Sequence, residues 1–162
     1  MSRRTLALAA ALSAVAAGAL VAAPVMAKWP PWISIEAPVN PFDPATRGAE
    51  LLVHTMMREG VAQVMDLSGT AEGLVDGVRR SIPLRFDATS RPGVFALRRQ
   101  WPANGSWLLR ISFKTTTALV AIGTDGQVAG VRVPTELRGG DPLPRAVGAR
   151  EIDSTLVAMQ RR

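Results

Sequence analysis

The chain has 162 residues but no cysteine, no tyrosine and a single histidine. Without cysteine there is no disulfide, no thiolate metal site and no cysteine nucleophile. One histidine cannot supply a His cluster or a His-only zinc site. These absences remove most enzyme templates at the outset and leave stability to the packing of the core. They also exclude a bacterial lipoprotein anchor, which needs a cysteine after the leader.

The first 27 residues are built unlike the rest. Arg3 and Arg4 form a positive start, residues 6–23 are an almost unbroken Ala/Leu/Val run, and Val25-Met26-Ala27 places small or apolar residues where a signal peptidase cuts. The pattern predicts a cleaved secretory signal over residues 1–27. The competing assignment is an uncleaved anchor, because the run lies near the ~17–25 residue lower bound for a spanning helix. Its alanine content and the cleavage site favour removal, leaving no membrane span. Ser2-Arg3-Arg4-Thr5-Leu6 is also similar to a twin-arginine signal. The expected location is therefore the periplasm or the cell exterior, reached by the Sec or the twin-arginine route. Residues 28–162 carry 17 basic and 13 acidic residues, a net charge of +4. So small an excess on an exported chain argues against nucleic acid as a partner. A chain of this length buries enough surface to be stable without disulfides.

Residues 28–48 are a proline-rich arm in which Trp32-Ile33-Ser34-Ile35 alternates as a short edge strand. Residues 49–135 read as short strands punctuated by turns, the spacing of an all-β antiparallel sandwich of about seven or eight strands. Asp76-Gly77 as a two-residue type I′ loop sets Val75 against Val78 and the small residues Gly73, Ala71 and Gly69 against Arg80, Ile82 and Leu84. Asp125-Gly126 as the same kind of loop pairs Ile122 with Ala129 and Val120 with Val131. Residues 49–57 form another strand, and residues 62–68 extend the first hairpin. The clearest period-2 signal is residues 106–113, with Trp107, Leu109, Ile111 and Phe113 on one side. Residues 136–162 open on a Gly/Pro linker, Gly139-Gly140-Asp141-Pro142-Leu143-Pro144. Residues 149–160 then form either a docked helix or a frayed tail, with Ile152, Leu156 and Met159 on one stripe.

The segment Pro92-Gly93-Val94-Phe95 followed by Trp101-Pro102-Ala103-Asn104-Gly105-Ser106-Trp107-Leu108-Leu109-Arg110-Ile111 resembles bacterial exported immunoglobulin-like β-sandwich domains of the YtkA-like type. That resemblance implies an immunoglobulin-like sandwich and a non-catalytic accessory or binding module outside the cytoplasm. Some relatives are encoded with or fused to copper-handling proteins. This chain departs from the copper carriers in lacking their multiple His and Met ligands, and fold alone does not confer function.

His54-Thr55-Met56-Met57 is the one soft-metal constellation. On a strand, Glu50, Leu52, His54 and Met56 share a face, and imidazole with thioether suits Cu(I), Met65 or Glu50 being the further ligands at hand. Copper handling by His54, Met56 and Met65 is thus the alternative to a cofactor-free module, although methionine more often fills gaps in a core. Hydrolytic templates fail, since Gly105-Ser106 lacks a nucleophile elbow. Glu72 and Asp76 fall at an expected turn, and Gly69-x-x-x-Gly73 lacks the ending of a phosphate loop. Of the basic residues after position 27, 15 are arginine. Arg85 and Arg110 point away from the apolar face and can offer paired donors to phosphate or carboxylate, although a solvated sheet face accounts for them too. Trp29 and Trp32, in a polyproline frame, can dock to a partner or fold over the end of the core. The expectation is a non-enzymatic binding module with an envelope protein or surface ligand as partner.

Overall fold

The computed structural model describes residues 30–57, 62–75 and 77–160. The expected signal segment, Trp29 and Asp76 lie outside the described residues.

The strands in chain order are β1 (Trp32–Glu36), β2 (Leu51–Met56), β3 (Leu67–Val75), β4 (Val78–Pro83), β5 (Asp87–Ala88), β6 (Val94–Leu97), β7 (Ser106–Phe113), β8 (Thr116–Ile122), β9 (Val128–Arg132), β10 (Thr135–Arg138) and β11 (Asp141–Pro144). The helix α1 spans Ala149–Gln160. A four-stranded sheet has the order β1-β2-β6-β5 and a five-stranded sheet the order β4-β3-β7-β8-β9. All neighbouring strands in both are antiparallel. The sheets enclose one core, with Ile33, Leu51, Val53, Phe95 and Leu97 on one side and Trp107, Leu109, Ile111, Phe113 and Val120 on the other.

β7 shows how the sequence makes this arrangement. Its odd positions enter the core as their period-2 pattern requires, and its small cross-strand partners make room for them. Gly69, Ala71 and Gly73 on β3 face Ile111, Leu109 and Trp107. A Cβ on Gly73 would lie 2.5 Å from the Trp107 ring, so only glycine fits. The same β3 residues keep the expected register with β4: Val75 faces Val78, Gly73 faces Arg80 and Ala71 faces Ile82.

Leu108, on the opposite face of β7, is also buried, because α1 covers it. Ile152 and Leu156 pack on Leu108 and Leu119, with Leu74 and Met159 at the margin. Burial of two such side chains contributes roughly 1.5–3 kcal/mol each, which decides for a docked helix over a frayed tail. Three ion pairs hold the helix from its flanks. Asp153 meets Arg79 on β4, and Glu151 meets Arg132 on β9 as well as Arg145 at 2.8 Å.

Several local expectations give way. Residues 64–66 form a single 3-10 turn, so β3 starts only at Leu67. The β8–β9 turn is a three-residue loop rather than a type I′ pair. The Gly126 N–H donates to the Gly123 carbonyl at 2.9 Å, Gly123 N–H donates to the Gln127 carbonyl at 2.9 Å, and Gly126 is left-handed with φ +78. This is the type I turn with a terminal left-handed glycine that three-residue loops favour. Val120 still faces Val131, but Ile122 faces Val128 instead of Ala129, and a bulge restores register further along. The expected linker over residues 139–144 is part of the hairpin β10–β11, whose tip residues Gly139 and Gly140 have φ +64 and +95. Positive φ at both tip residues is what a type I′ turn demands.

Candidate functional site

The outward face of the four-stranded sheet is built by β1 and β2. Because Ile33, Leu51 and Val53 enter the core, alternation turns Trp32, Ser34 and Glu36 outward beside Leu52, His54 and Met56. Cross-strand register sets Trp32 opposite Met56, Ser34 opposite His54 and Glu36 opposite Leu52. The loop between the two strands covers one end of this face, where Val39 and Ala49 pack against Leu52, Val94 and Ala96. Trp32, Ser34, His54 and Met56 lie beyond that cover, and β1 is an edge strand of the sheet, with the Pro31 carbonyl just before it accepting from the Thr116 hydroxyl on β8.

His54 is fixed on this face by Glu36. Its Nε2 lies 2.7 Å from Glu36 Oε2, with 28% and 35% of the two side chains exposed. The contact is diagonal across the β1–β2 pair and reads as an ion pair whenever the imidazole carries its proton. Met56 is 53% exposed. The face therefore presents an indole, a hydroxyl, an oriented imidazole and a thioether in two adjacent rows.

Met65 lies on the 3-10 turn and is 85% exposed. A soft cation on this face would meet His54 Nε2 already engaged by Glu36, and would have to displace that carboxylate or bind Nδ1. Glu50 is held by Arg99, whose Nε lies 2.7 Å from Glu50 Oε1 while its Nη2 donates to the Gly126 carbonyl at 2.9 Å. That tie, in which the Glu50 contact raises the Arg99 pKa above its ordinary value, binds the four-stranded sheet to the β8–β9 turn. Among the described residues no three histidine, aspartate or glutamate side chains form a metal-binding group.

Of the two arginines, Arg110 falls on the other sheet, in β7, and Arg85 on the segment that runs from β4 of that sheet to β5 of the four-stranded one. Leu84 and Phe86 are buried, so Arg85 between them turns outward and is exposed. Its backbone is clamped by Gln100, which accepts from Arg85 N–H at 2.9 Å and donates to the Arg85 carbonyl at 2.7 Å. Arg110 lies opposite Thr70 and Leu119 on the outer face of β7. It is half-buried, and its Nε makes no hydrogen bond among the described residues.

Glu72 differs from the turn carboxylate expected of it. It stands in the middle of β3, only 5% exposed. Burial alone would raise its pKa, but the hydrogen bonds from Ser81 and Arg79 help to outweigh that, and the carboxyl is held below its ordinary value. Ser81 Oγ donates to Oε1 at 2.8 Å and Arg79 Nη2 lies 3.4 Å from Oε2. Asp66 is likewise lowered, first by the Lys114 ammonium and then by the Gln63 N–H. Period-2 alternation places Glu72 in mid-strand on the outward face with Ser68, Thr70 and Leu74, which rules out the turn but gives no sign that the carboxylate is buried. The Glu36–His54 and Glu50–Arg99 ties had no local signal, since their partners are 18 and 49 residues apart.

No protein-family model, curated protein or solved structure matches this chain.

Proposed function

We propose that this chain is an exported, non-catalytic binding module of the bacterial cell envelope, with an immunoglobulin-like fold, that engages an envelope protein through the open end of its four-stranded sheet. The observation that carries this reading is the row of Trp32, Ser34, His54 and Met56 beside the edge strand β1. An edge strand accepts an extended segment of another chain by main-chain hydrogen bonds, and side chains beside it supply specificity. Tryptophan is among the residues that contribute most to such contacts.

Strand order supports the fold assignment. The order β1-β2-β6-β5 corresponds to strands A, B, E and D of an immunoglobulin sandwich, and β4-β3-β7-β8 to C′, C, F and G, with β9 added at the G edge. Export rests on the composition of residues 1–27.

Photo-crosslinking in intact cells tests the proposal. A benzophenone side chain at Ser34 is expected to give a discrete protein adduct that Trp32→Ala removes. The same probe at Ser154 on α1 gives none. Identical adducts from both positions, or none from position 34, would overturn the proposed surface. Export is checked by mass spectrometry of the envelope fraction, which should show a chain beginning at Lys28. A full-length chain in the cytosol would refute it.

A further inference from the structure

The chain has two asparagines, Asn40 and Asn104, and the residue after each sets them at opposite chemical extremes. Asparagine is thermolabile because the backbone nitrogen of the following residue can attack its Cγ and expel the side-chain amide. Pro41 has no N–H to give up in that step, and Asn40 Oδ1 is in addition held by the Phe42 N–H at 3.0 Å. Asn104 is followed by Gly105, which has no Cβ to crowd the approach.

The loop between β6 and β7 leaves both reacting groups free. Asn104 is exposed, and its side-chain amide makes no hydrogen bond among the described residues. The Gly105 N–H likewise donates to nothing among the described residues. Gly105 is left-handed with φ +86, and a Cβ there would stand 3.2 Å from the Leu74 carbonyl oxygen, so the fold itself keeps glycine at the attacking position. The Asp125–Gly126 link is the contrast. There Asp125 Oδ1 accepts from the Gln127 N–H at 3.0 Å and the Gly126 N–H donates to the Gly123 carbonyl at 2.9 Å, which occupies both partners of the same step.

A core side chain hangs on the Asn104 backbone. Its carbonyl accepts from Trp107 Nε1–H at 2.9 Å. Trp107 is 1% exposed, and its ring lies too close to Gly73 to follow an acceptor that moves.

We propose that Asn104 is a site of spontaneous deamidation that releases the polar anchor of Trp107. The Gly105 nitrogen bonds to Asn104 Cγ, the bond from Cγ to the amide nitrogen breaks, and ammonia leaves with the proton that Gly105 gives up. Water then opens the resulting five-membered imide. Cleavage at Cγ yields aspartate. Cleavage at the main-chain carbonyl yields isoaspartate, in which the chain runs through Cβ and Cγ and the former carbonyl of Asn104 becomes a free carboxylate. The link to Gly105 is then one atom longer, and the acceptor that Trp107 used is no longer part of the backbone. This loop is separate from the Trp32–His54 face and does not depend on the function proposed for it.

The test is to hold the purified full chain at mildly alkaline pH, where the attacking nitrogen loses its proton more readily, and to follow its peptides by mass spectrometry. Asn104 is expected to convert to aspartate and isoaspartate while Asn40 keeps its amide. Asn104→Gln, which could close only a six-membered ring, should lose its amide at least about tenfold more slowly. The isoaspartate form, separated by its added negative charge, should unfold at a lower urea midpoint than fresh protein. Asn104→Gln held alongside it should keep its midpoint, which distinguishes this loss from general damage. An Asn104 that keeps its amide as long as Asn40 does, an Asn104→Gln protein that converts as fast as wild type, or an isoaspartate form with the midpoint of fresh protein would each overturn the proposal.

Discussion

The two outer faces of the sandwich obey the same alternation and end in different states. On the five-stranded sheet, outward positions include Leu74, Leu108 and Leu119, and α1 covers them with Ile152 and Leu156. On the four-stranded sheet, the outward apolar positions Leu52, Val94 and Ala96 are covered by a loop. The remaining positions, Ser34, His54 and Met56, have no such cover. A face that carries leucines on three neighbouring strands requires a dedicated element to bury them. A face that is apolar at one end only is covered there and leaves the other end free for contact.

The largest effect that would break this contrast is truncation under the helix. Leu156→Ala should cost about 2–5 kcal/mol in urea unfolding, the range for emptying a buried leucine site. Met56→Ala on the open face should change stability by less than about 0.5 kcal/mol. If the two costs were equal, the open end would be structural core and not a contact surface.

Next in size is the buried carboxylate on the helix-covered sheet. Glu72→Gln should cost about 1–3 kcal/mol at neutral pH, because charge-assisted hydrogen bonds are weakened in a buried site. The sign of the pH dependence follows from its lowered pKa. Its stabilisation is complete above the ordinary glutamate value of 4.5 and is lost as pH falls through the lower folded value. Wild-type stability should therefore drop more steeply than that of Glu72→Gln below that pH in urea titrations. Parallel curves would show that Glu72 is not held as described.

The smallest effect concerns the flanks of α1. Asp153→Asn removes the partner of Arg79 on an exposed surface and should cost about 0.2–1 kcal/mol, vanishing at high salt. Hydrogen exchange of the α1 amides measures it. A salt-independent cost would place the helix under packing control alone.

How much of this was readable in advance depended on whether the signal was local. The bounds of α1 and its stripe of Ile152, Leu156 and Met159 follow from 3.6-residue spacing, and the structure places that helix over residues 149–160. The β3–β4 register follows from one two-residue turn. The hairpin β10–β11 was hidden because Pro142 and Pro144 on β11 resemble linker composition, although proline is tolerated on a strand whose N–H groups need no partner. The Glu36–His54 tie depends on how β1 meets β2 after a long irregular loop. No local pattern encodes that register.

The ion pairs of α1 bear on how the five-stranded sheet is kept whole. Asp153 and Glu151 reach β4 and β9, the two opposite edges of one sheet. The helix is thus a clasp across all five strands, and lifting it would release both edges and uncover Leu108 and Leu119 in a single event.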